Sequence, residues 1–239
     1  MTRAMVMVSV IVATALLIGC DGAPGRRRIE AASVAPDKVL DFAGLYRANC
    51  AACHGLEGRG GAAMALSDPV YLAVADDAVV RRATADGVPG TSMPAFARSS
   101  GGMLTAEQVD AIVKGIRTDW ANPGVVGGID LPPYSDGSWG DAQRGGDVFA
   151  TYCASCHGDR GQGARASSIV DGSYLALVSD QGLRTTVIAG RPELGAPDWR
   201  GNVPGRSMTH QDISDVVAWL SAQRAPFPGQ PYASRSPRD

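Results

Sequence analysis

Cys50-Ala51-Ala52-Cys53-His54 returns as Cys153-Ala154-Ser155-Cys156-His157, and this repeated pentapeptide decides the fold of the chain. Two thiols three positions apart can reach the two vinyl groups on one side of a porphyrin and form thioethers. The histidine after the second thiol can then bind the iron from the proximal side. The sequence therefore predicts two covalently bound haem c groups, with Cys50, Cys53, Cys153 and Cys156 as attachment points and His54 and His157 as iron ligands.

Two other chemistries also use closely spaced cysteines. A thioredoxin-like dithiol has no need of a histidine at this place in both copies. A closed zinc site wants four ligands from Cys and His, and outside the two motifs the chain has only His210 and Cys20. The repeated motif therefore favours haem over zinc or dithiol chemistry.

The first twenty residues resemble a bacterial lipoprotein signal. Arg3 gives a basic start, an apolar run extends from Ala4 to Ile18, and Gly19 precedes Cys20. The run is shorter than the roughly 20 apolar residues of a membrane span, which would be the alternative. We therefore expect cleavage before Cys20, lipidation of its thiol and a mature chain tethered on the periplasmic side of the inner membrane.

Charge and composition exclude one class of partner and limit the core. The formal net charge is −2, and the chain has no long basic run, which argues against nucleic acid as a partner. Aromatic residues make up only 6% of the chain. Domains of under about a hundred residues bury little surface by themselves, so we expect the haem groups to complete the core.

The two halves of the chain are an internal repeat. A shift of 103 residues superposes the two motifs and needs no gap for more than forty residues, bringing Tyr71 onto Tyr174, Gly87 onto Gly190 and Pro94 onto Pro197. Each half is predicted to open with an amphipathic helix that runs into its motif and to close with another. The closing helices start at the capping boxes Thr105–Gln108 and Thr209–Asp212.

These residues resemble the class I cytochrome c family over about residues 36–120 and 138–224. The resemblance implies an all-α fold of two tandem cytochrome c-like haem domains joined by a linker rich in Gly and Pro, with the first and last helices of each domain crossing. We expect the linker to lie against the domains. The predicted segments are a signal peptide (1–19), a lipid-anchored spacer (20–35), domain 1 (36–121), the linker (122–138), domain 2 (139–225) and a flexible tail (226–239).

The family resemblance also assigns packing and positioning roles. Tyr46 and Phe149, each four residues before the first cysteine, resemble the packing residue of the helix crossing. Its usual aromatic partner is matched by Trp219 in the second half, whereas Gly115 stands at the aligned place in the first. The Asp68-Pro69 loop resembles the one whose backbone carbonyl accepts the free ring N–H of the proximal histidine.

The sixth iron ligand separates the two halves. Gly90 to Phe96, with Met93 before Pro94, resembles the methionine loop of the family, so Met93 is the expected ligand of the first iron, while Met64 and Met103 suit core positions. The same shift puts Ala196 where Met93 should be. Met208 is the predicted ligand of the second iron. The alternatives are His210 and an open position that an external ligand can fill. Met208 also suits a core position directly before the helix cap.

Two classes of function follow from this assignment. The first is a membrane-tethered periplasmic electron carrier, not itself an enzyme, between respiratory or photosynthetic partners such as a terminal oxidase, a quinol-oxidising complex or a periplasmic dehydrogenase. The second is a dihaem enzyme or gas-binding protein, peroxidase-like, that acts at an open second haem. Arg81, Arg184 and Arg200 are candidates to hold the haem propionates.

Overall fold

The computed structural model describes residues 34–137 and 140–225. Val34 to Lys38, with a 3-10 turn at Pro36–Lys38, belong to one unit, and the described residues from Val39 onward belong to a second, compact one. The predicted signal peptide, Cys20 and the tail lie outside the described residues. None of the described helices is long and apolar enough to cross a membrane.

The second unit consists of helices, and among its described residues only three isolated β-bridges occur. The first half contains α1 (Phe42–Asn49), α2 (Ala51–His54), α3 (Pro69–Val74), α4 (Asp77–Asp86) and α5 (Ala106–Trp120), with a 3-10 turn at Arg98–Ser100. The second half repeats this order with α6 (Ala142–Tyr152), α7 (Ala154–His157), α8 (Gly172–Leu177), α9 (Asp180–Ala189) and α10 (His210–Ser221), and its 3-10 turn is Pro192–Leu194. The all-α prediction is confirmed.

Side-chain caps explain where the longer helices start. Apart from the short turns α2 and α7, each helix begins behind an Asp, Ser or Thr whose side chain accepts a backbone N–H of the first turn. These caps satisfy donors that the helix itself leaves unpaired. The predicted capping boxes at Thr105 and Thr209 are both confirmed.

The first and last helices of each half pack across each other. At the two crossings, the large and the small residue stand on opposite helices. In the second half Phe149 stacks on Trp219 with ring centroids 4.3 Å apart, as predicted. In the first half, where Gly115 replaces that tryptophan, Tyr46 packs instead edge-on against Trp120, 5.0 Å away. The ring of Phe42 lies where a Cβ on Gly115 would be.

The position of Phe42 in the repeat is taken by a glycine in the second half. A Cβ on Gly145 would lie 2.7 Å from the Cβ of Trp219. The first crossing therefore places its ring on the opening helix and its glycine on the closing helix, and the second crossing does the reverse. This exchange keeps the volume between the helices filled.

A buried carboxylate adds a polar anchor to the second crossing. Asp215 on α10 accepts hydrogen bonds from the backbone N–H of Asp141 at 2.7 Å and from Gln211 at 2.8 Å. It also pairs with Arg144 on α6 through Nε at 2.9 Å and Nη2 at 3.0 Å. These bonds fix the start of α6 against the middle of α10.

The linker packs on the second half, as predicted. Pro132 is fully buried, and the carbonyl of Pro133 accepts two hydrogen bonds from Arg184, at 3.1 and 3.0 Å. Gln181 donates to the carbonyl of Tyr134 at 2.7 Å. In addition, α3 of the first half packs directly against α9 of the second, so both halves belong to one compact unit.

The three arginines that we considered for the haem propionates all have protein partners. Arg184 is buried and also donates to Ser214 at 3.1 Å. Arg81 pairs with Asp110 on the surface, and Arg200 pairs with Asp198. The guanidinium of Arg184 holds the linker, and the propionate role of all three arginines stays a prediction.

Candidate haem sites

Each cysteine motif forms one turn of helix at the end of a longer one. Cys50 lies between α1 and α2, and Cys153 lies between α6 and α7. The four thiols form no disulfide. A glycine with positive φ ends each turn, Gly55 at 83° and Gly158 at 81°, because a Cβ on Gly55 would lie 1.8 Å from the carbonyl oxygen of Arg59.

The histidines of the two motifs are oriented in the same way in both halves. Nδ1 of His54 lies 2.8 Å from the carbonyl oxygen of Met64, and Nδ1 of His157 lies 2.9 Å from that of Ser167. A carbonyl oxygen can only accept, so each Nδ1 carries the proton. The Nε2 lone pair of each ring is then available to iron, as a haem ligand requires.

The acceptor carbonyl differs from the expected one in the Asp68-Pro69 loop. Asp68 instead caps α3: its side chain accepts from the N–H of Tyr71 at 2.8 Å, and its carbonyl accepts from Leu72 at 3.0 Å. The Asp68 carbonyl is thus used by the helix. Met64 and Ser167 each lie ten residues after their histidine and match under the 103-residue shift, a signal that was present in the sequence.

The surroundings of the first thiol in each motif suit an uncharged thioether, whereas a hydrogen bond from Arg165 lowers the pKa of Cys156. Burial, and secondly the neighbouring Cys53, raise the pKa of Cys50 to about 11. Burial and Cys156 raise the pKa of Cys153 to about 12. Burial also lowers the pKa of His54, although its bond to the carbonyl opposes the shift. These environments favour neutral groups, which thioethers and a ligating imidazole are.

A buried hydroxyl beside the second motif gives a further test of fit. Tyr152, which directly precedes Cys153, is 4% exposed, and its hydroxyl has no hydrogen-bond partner among the described residues. By contrast, the hydroxyl of Tyr46 donates to the carbonyl of Gly55 at 2.8 Å. An unpaired buried hydroxyl costs about 1–3 kcal/mol, and a haem propionate is a group that would pair it. The residues therefore fit haem, and Tyr152 is a candidate contact that the sequence did not indicate.

The methionine loop closes with the same backbone hydrogen bond in both halves, although between the bonded residues only the second half forms a 3-10 turn, at Pro192–Leu194. Gly87 and Gly190 begin the two loops with φ of 71° and 72°. The N–H of Val88 donates to the carbonyl of Met93 at 3.0 Å, and at the matching place Arg191 donates to Ala196 at 2.9 Å. The structure thus places Ala196 where the first half has Met93.

Met208 has the place of a core residue in the repeat. Its N–H donates to the carbonyl of Trp199 at 3.0 Å, as that of Leu104 does to Phe96 at 2.8 Å. Both side chains are buried directly before a capping box. His210 is exposed in the first turn of α10. Met208 as an iron ligand stays a prediction, and its position favours the alternative of a core residue.

No three His, Cys, Asp or Glu side chains within 34–137 and 140–225 come together as a metal site. The four-ligand zinc site considered from the sequence therefore has no counterpart in these ranges. Each motif instead offers two thiols and one imidazole at consecutive places on one helical turn, which is the donor set of covalent haem attachment.

Several characterised proteins are similar to this chain. The cytochrome c subunit of the cytochrome bc1 complex of Mycobacterium bovis is 27% identical over 187 residues, covering 77% of this chain and 64% of that subunit. The corresponding subunit of Corynebacterium efficiens is 25% identical over 91% of this chain and 77% of its own length. The cbb3-type cytochrome c oxidase subunit CcoP of Azospirillum sp. is 33% identical over 52% of this chain.

This chain spans 64% of the mycobacterial subunit and 40% of the Azospirillum subunit. The family described as cytochrome c oxidase, cbb3-type, subunit III matches it twice, over residues 37–114 and 140–220, together about two thirds of its length. Each match contains one cysteine motif and its histidine. The chain belongs to this family of class I c-type cytochromes, with two cytochrome c domains in tandem and two covalently bound haem c groups.

Proposed function

We propose that this chain is a membrane-tethered dihaem cytochrome c of the periplasm that transfers electrons between respiratory redox partners. The observation that carries the proposal is that one compact unit contains two haem-attachment motifs, each with a histidine oriented by a backbone carbonyl. For electron transfer the protein must hold the haem, tune its reduction potential and leave a haem edge accessible to a redox partner. Both halves have the groups for the first two tasks.

The two haems are expected to differ in potential. A methionine thioether on iron favours the reduced metal and raises the potential. Met93 is half-buried in the loop that carries it in the first half, and we propose it as the sixth ligand there. Haem 1 is then the haem of higher potential, on which an electron rests before it leaves for the acceptor.

The similar proteins indicate the class of partner. Their names assign them to a cytochrome bc1 complex and to cbb3-type oxidases. A quinol-oxidising complex as donor and a terminal oxidase as acceptor are therefore the partners we propose, with a periplasmic dehydrogenase as another possible donor. Lipidation of Cys20 would keep the chain at the membrane surface where such complexes lie.

Membranes from a strain that lacks this chain provide the test. We expect quinol-driven oxygen consumption to fall severalfold and to return when the wild-type chain is supplied. The double variant Cys50→Ser, Cys53→Ser, which loses haem 1, should not restore it. Ser155→Ala, which makes the second motif identical to the first, is the matched control and should restore it fully.

The tether is tested by location. Cys20→Ser should move the haem-containing protein from the membrane to the soluble periplasmic fraction. Oxygen consumption that does not change when the chain is removed would contradict the proposed function, and a Cys20→Ser protein that stays in the membrane would contradict the lipid anchor alone.

A further inference from the structure

The second half keeps the hydrogen bond that closes the methionine loop, although Ala196 stands in place of the methionine. The shift of 103 residues runs without a gap from Cys153 to Trp199, and the extra residue of the second half falls between Trp199 and Met208. The correspondence of Ala196 with Met93 is therefore independent of that insertion. The loop is also more tightly closed, because Arg191 and Ala196 exchange both backbone hydrogen bonds, at 2.9 and 3.0 Å.

The side chains at the ligand position differ in what they can do. The Met93 side chain ends in a thioether, whereas Ala196 has only a methyl group, which cannot bind iron. Pro197, which follows Ala196, occupies the place of Pro94. This segment of the second half would therefore offer no side-chain ligand to an iron held by His157.

The remaining candidate donors of the second half lie outside the loop that contains Ala196. Met208 is 3% exposed, and its backbone is fixed where the first half has Leu104. His210 follows Thr209, whose side chain and backbone are tied to Asp212 in a capping box, and it is exposed. The two lysines of the chain, Lys38 and Lys114, both lie before the linker.

We propose that the iron held by His157 has no side-chain ligand on the side that faces Ala196 and that this open position binds a small diatomic gas such as carbon monoxide or nitric oxide. The proposal rests on the two covalent haems and goes beyond electron transfer. An iron with an open axial position binds such ligands, whereas an iron with His on one side of the haem and Met on the other mainly passes electrons. The second haem would then bind a gas in addition to its part in electron transfer.

Carbon monoxide titration of the reduced protein with both haems attached tests this proposal. We expect one carbon monoxide bound per two haems. Ala196→Met should restore the ligand, abolish this binding and convert the second haem to a low-spin spectrum. Met93→Ala should do the opposite and raise the stoichiometry to two. Ala196→Leu, of similar size but without sulfur, is the control and should still bind one.

Variants of the other two donors separate this proposal from its alternatives. Met208→Leu and His210→Ala should leave the titration unchanged. The proposal is overturned if the wild-type protein binds no carbon monoxide, and binding created by Met208→Leu or His210→Ala would then identify the ligand. If Ala196→Met does not retain two haems, the proposal is tested by the titrations of the wild type and of the variants Met93→Ala, Met208→Leu and His210→Ala. A failure of the gas-binding proposal leaves the electron-transfer proposal intact, because electron transfer is tested separately by the oxygen consumption of membranes.

Discussion

At the scale of single residues, Asp215 shows how one carboxylate can fix a helix crossing. It is buried, and Arg144, Gln211 and the backbone of Asp141 all donate to it. Burial raises the pKa of Asp215, but the hydrogen bonds from Arg144, Asp141 and Gln211, with the charge of Arg144, outweigh it and hold the pKa below its ordinary value. The charged form is therefore the one that the fold stabilises.

Asp215→Asn is expected to destabilise the protein by about 2 kcal/mol, because charged hydrogen bonds become neutral ones and one acceptor is lost. A carboxyl with a depressed pKa contributes stability above its unfolded pKa of about 3.9 and loses it as the pH falls through its folded pKa. The wild type should therefore lose this stability on acidification below about pH 4. Denaturant unfolding at several pH values measures both effects.

The control for this prediction is Asp110→Asn. Asp110 pairs with Arg81 on the surface, where the side chains are 60% and 46% exposed, so its loss should cost less than about 1 kcal/mol. Equal losses for Asp110→Asn and Asp215→Asn would contradict the role given to the buried carboxylate.

Tyr152 permits a second prediction at this scale. If a haem propionate accepts a hydrogen bond from the Tyr152 hydroxyl, Tyr152→Phe should lower the free energy of unfolding by about 1 kcal/mol in the protein with both haems. Tyr46→Phe, which loses the hydrogen bond to the carbonyl of Gly55, should cost a similar amount. Unfolding of the two variants by denaturant measures the costs. A neutral or stabilising Tyr152→Phe beside a costly Tyr46→Phe would show that the cofactor does not pair this hydroxyl.

At the scale of elements, the helix crossings show what a sequence repeat can and cannot predict. The caps at Thr105 and Thr209 followed from local patterns, and the Phe149–Trp219 contact followed from the resemblance to the class I cytochrome c family. The Tyr46–Trp120 contact did not, because Trp120 lies beyond the place aligned with Trp219 and only the packing reveals it. The exchange of Phe42 and Gly145 was visible in the repeat, but its meaning depends on which helix faces lie opposite each other.

Gly115→Ala tests the first crossing. The new Cβ would lie 2.1 Å from Cγ of Phe42, so the ring must move, at a cost of about 1–3 kcal/mol. Gly146→Ala, in α6, is the control: its Cβ would be 3.4 Å from the nearest atom, in Trp219, and the change should be neutral or stabilising by up to about 1 kcal/mol. The cost of Gly115→Ala should shrink in a Phe42→Ala background, and additive costs in thermal unfolding would contradict the contact.

At the scale of the whole molecule, the two haem domains share one compact unit because the linker is part of the packing. The composition of residues 122–138 predicted a linker that lies against the domains, and its apolar residues were the reason. The carbonyl of Pro133 as a hydrogen-bond acceptor for Arg184 was not predicted, because the linker has no second copy in the repeat with which it could be compared. The role of Arg184 therefore became clear only when its neighbours in space were known.

Arg184→Ala is expected to release the linker. The substitution leaves the Pro133 carbonyl without two hydrogen bonds and Ser214 without one, which should cost about 2–3 kcal/mol. Because proteolysis follows the population of the open form, cleavage within residues 122–137 by a protease of broad specificity should become about tenfold faster or more. Arg81→Ala, at the matching place of the first half, removes only a surface ion pair and should leave the cleavage rate within about twofold of the wild type. Equal cleavage rates for Arg184→Ala and wild type, with both haems attached, would mean that α3 and α9 hold the two halves together without the linker.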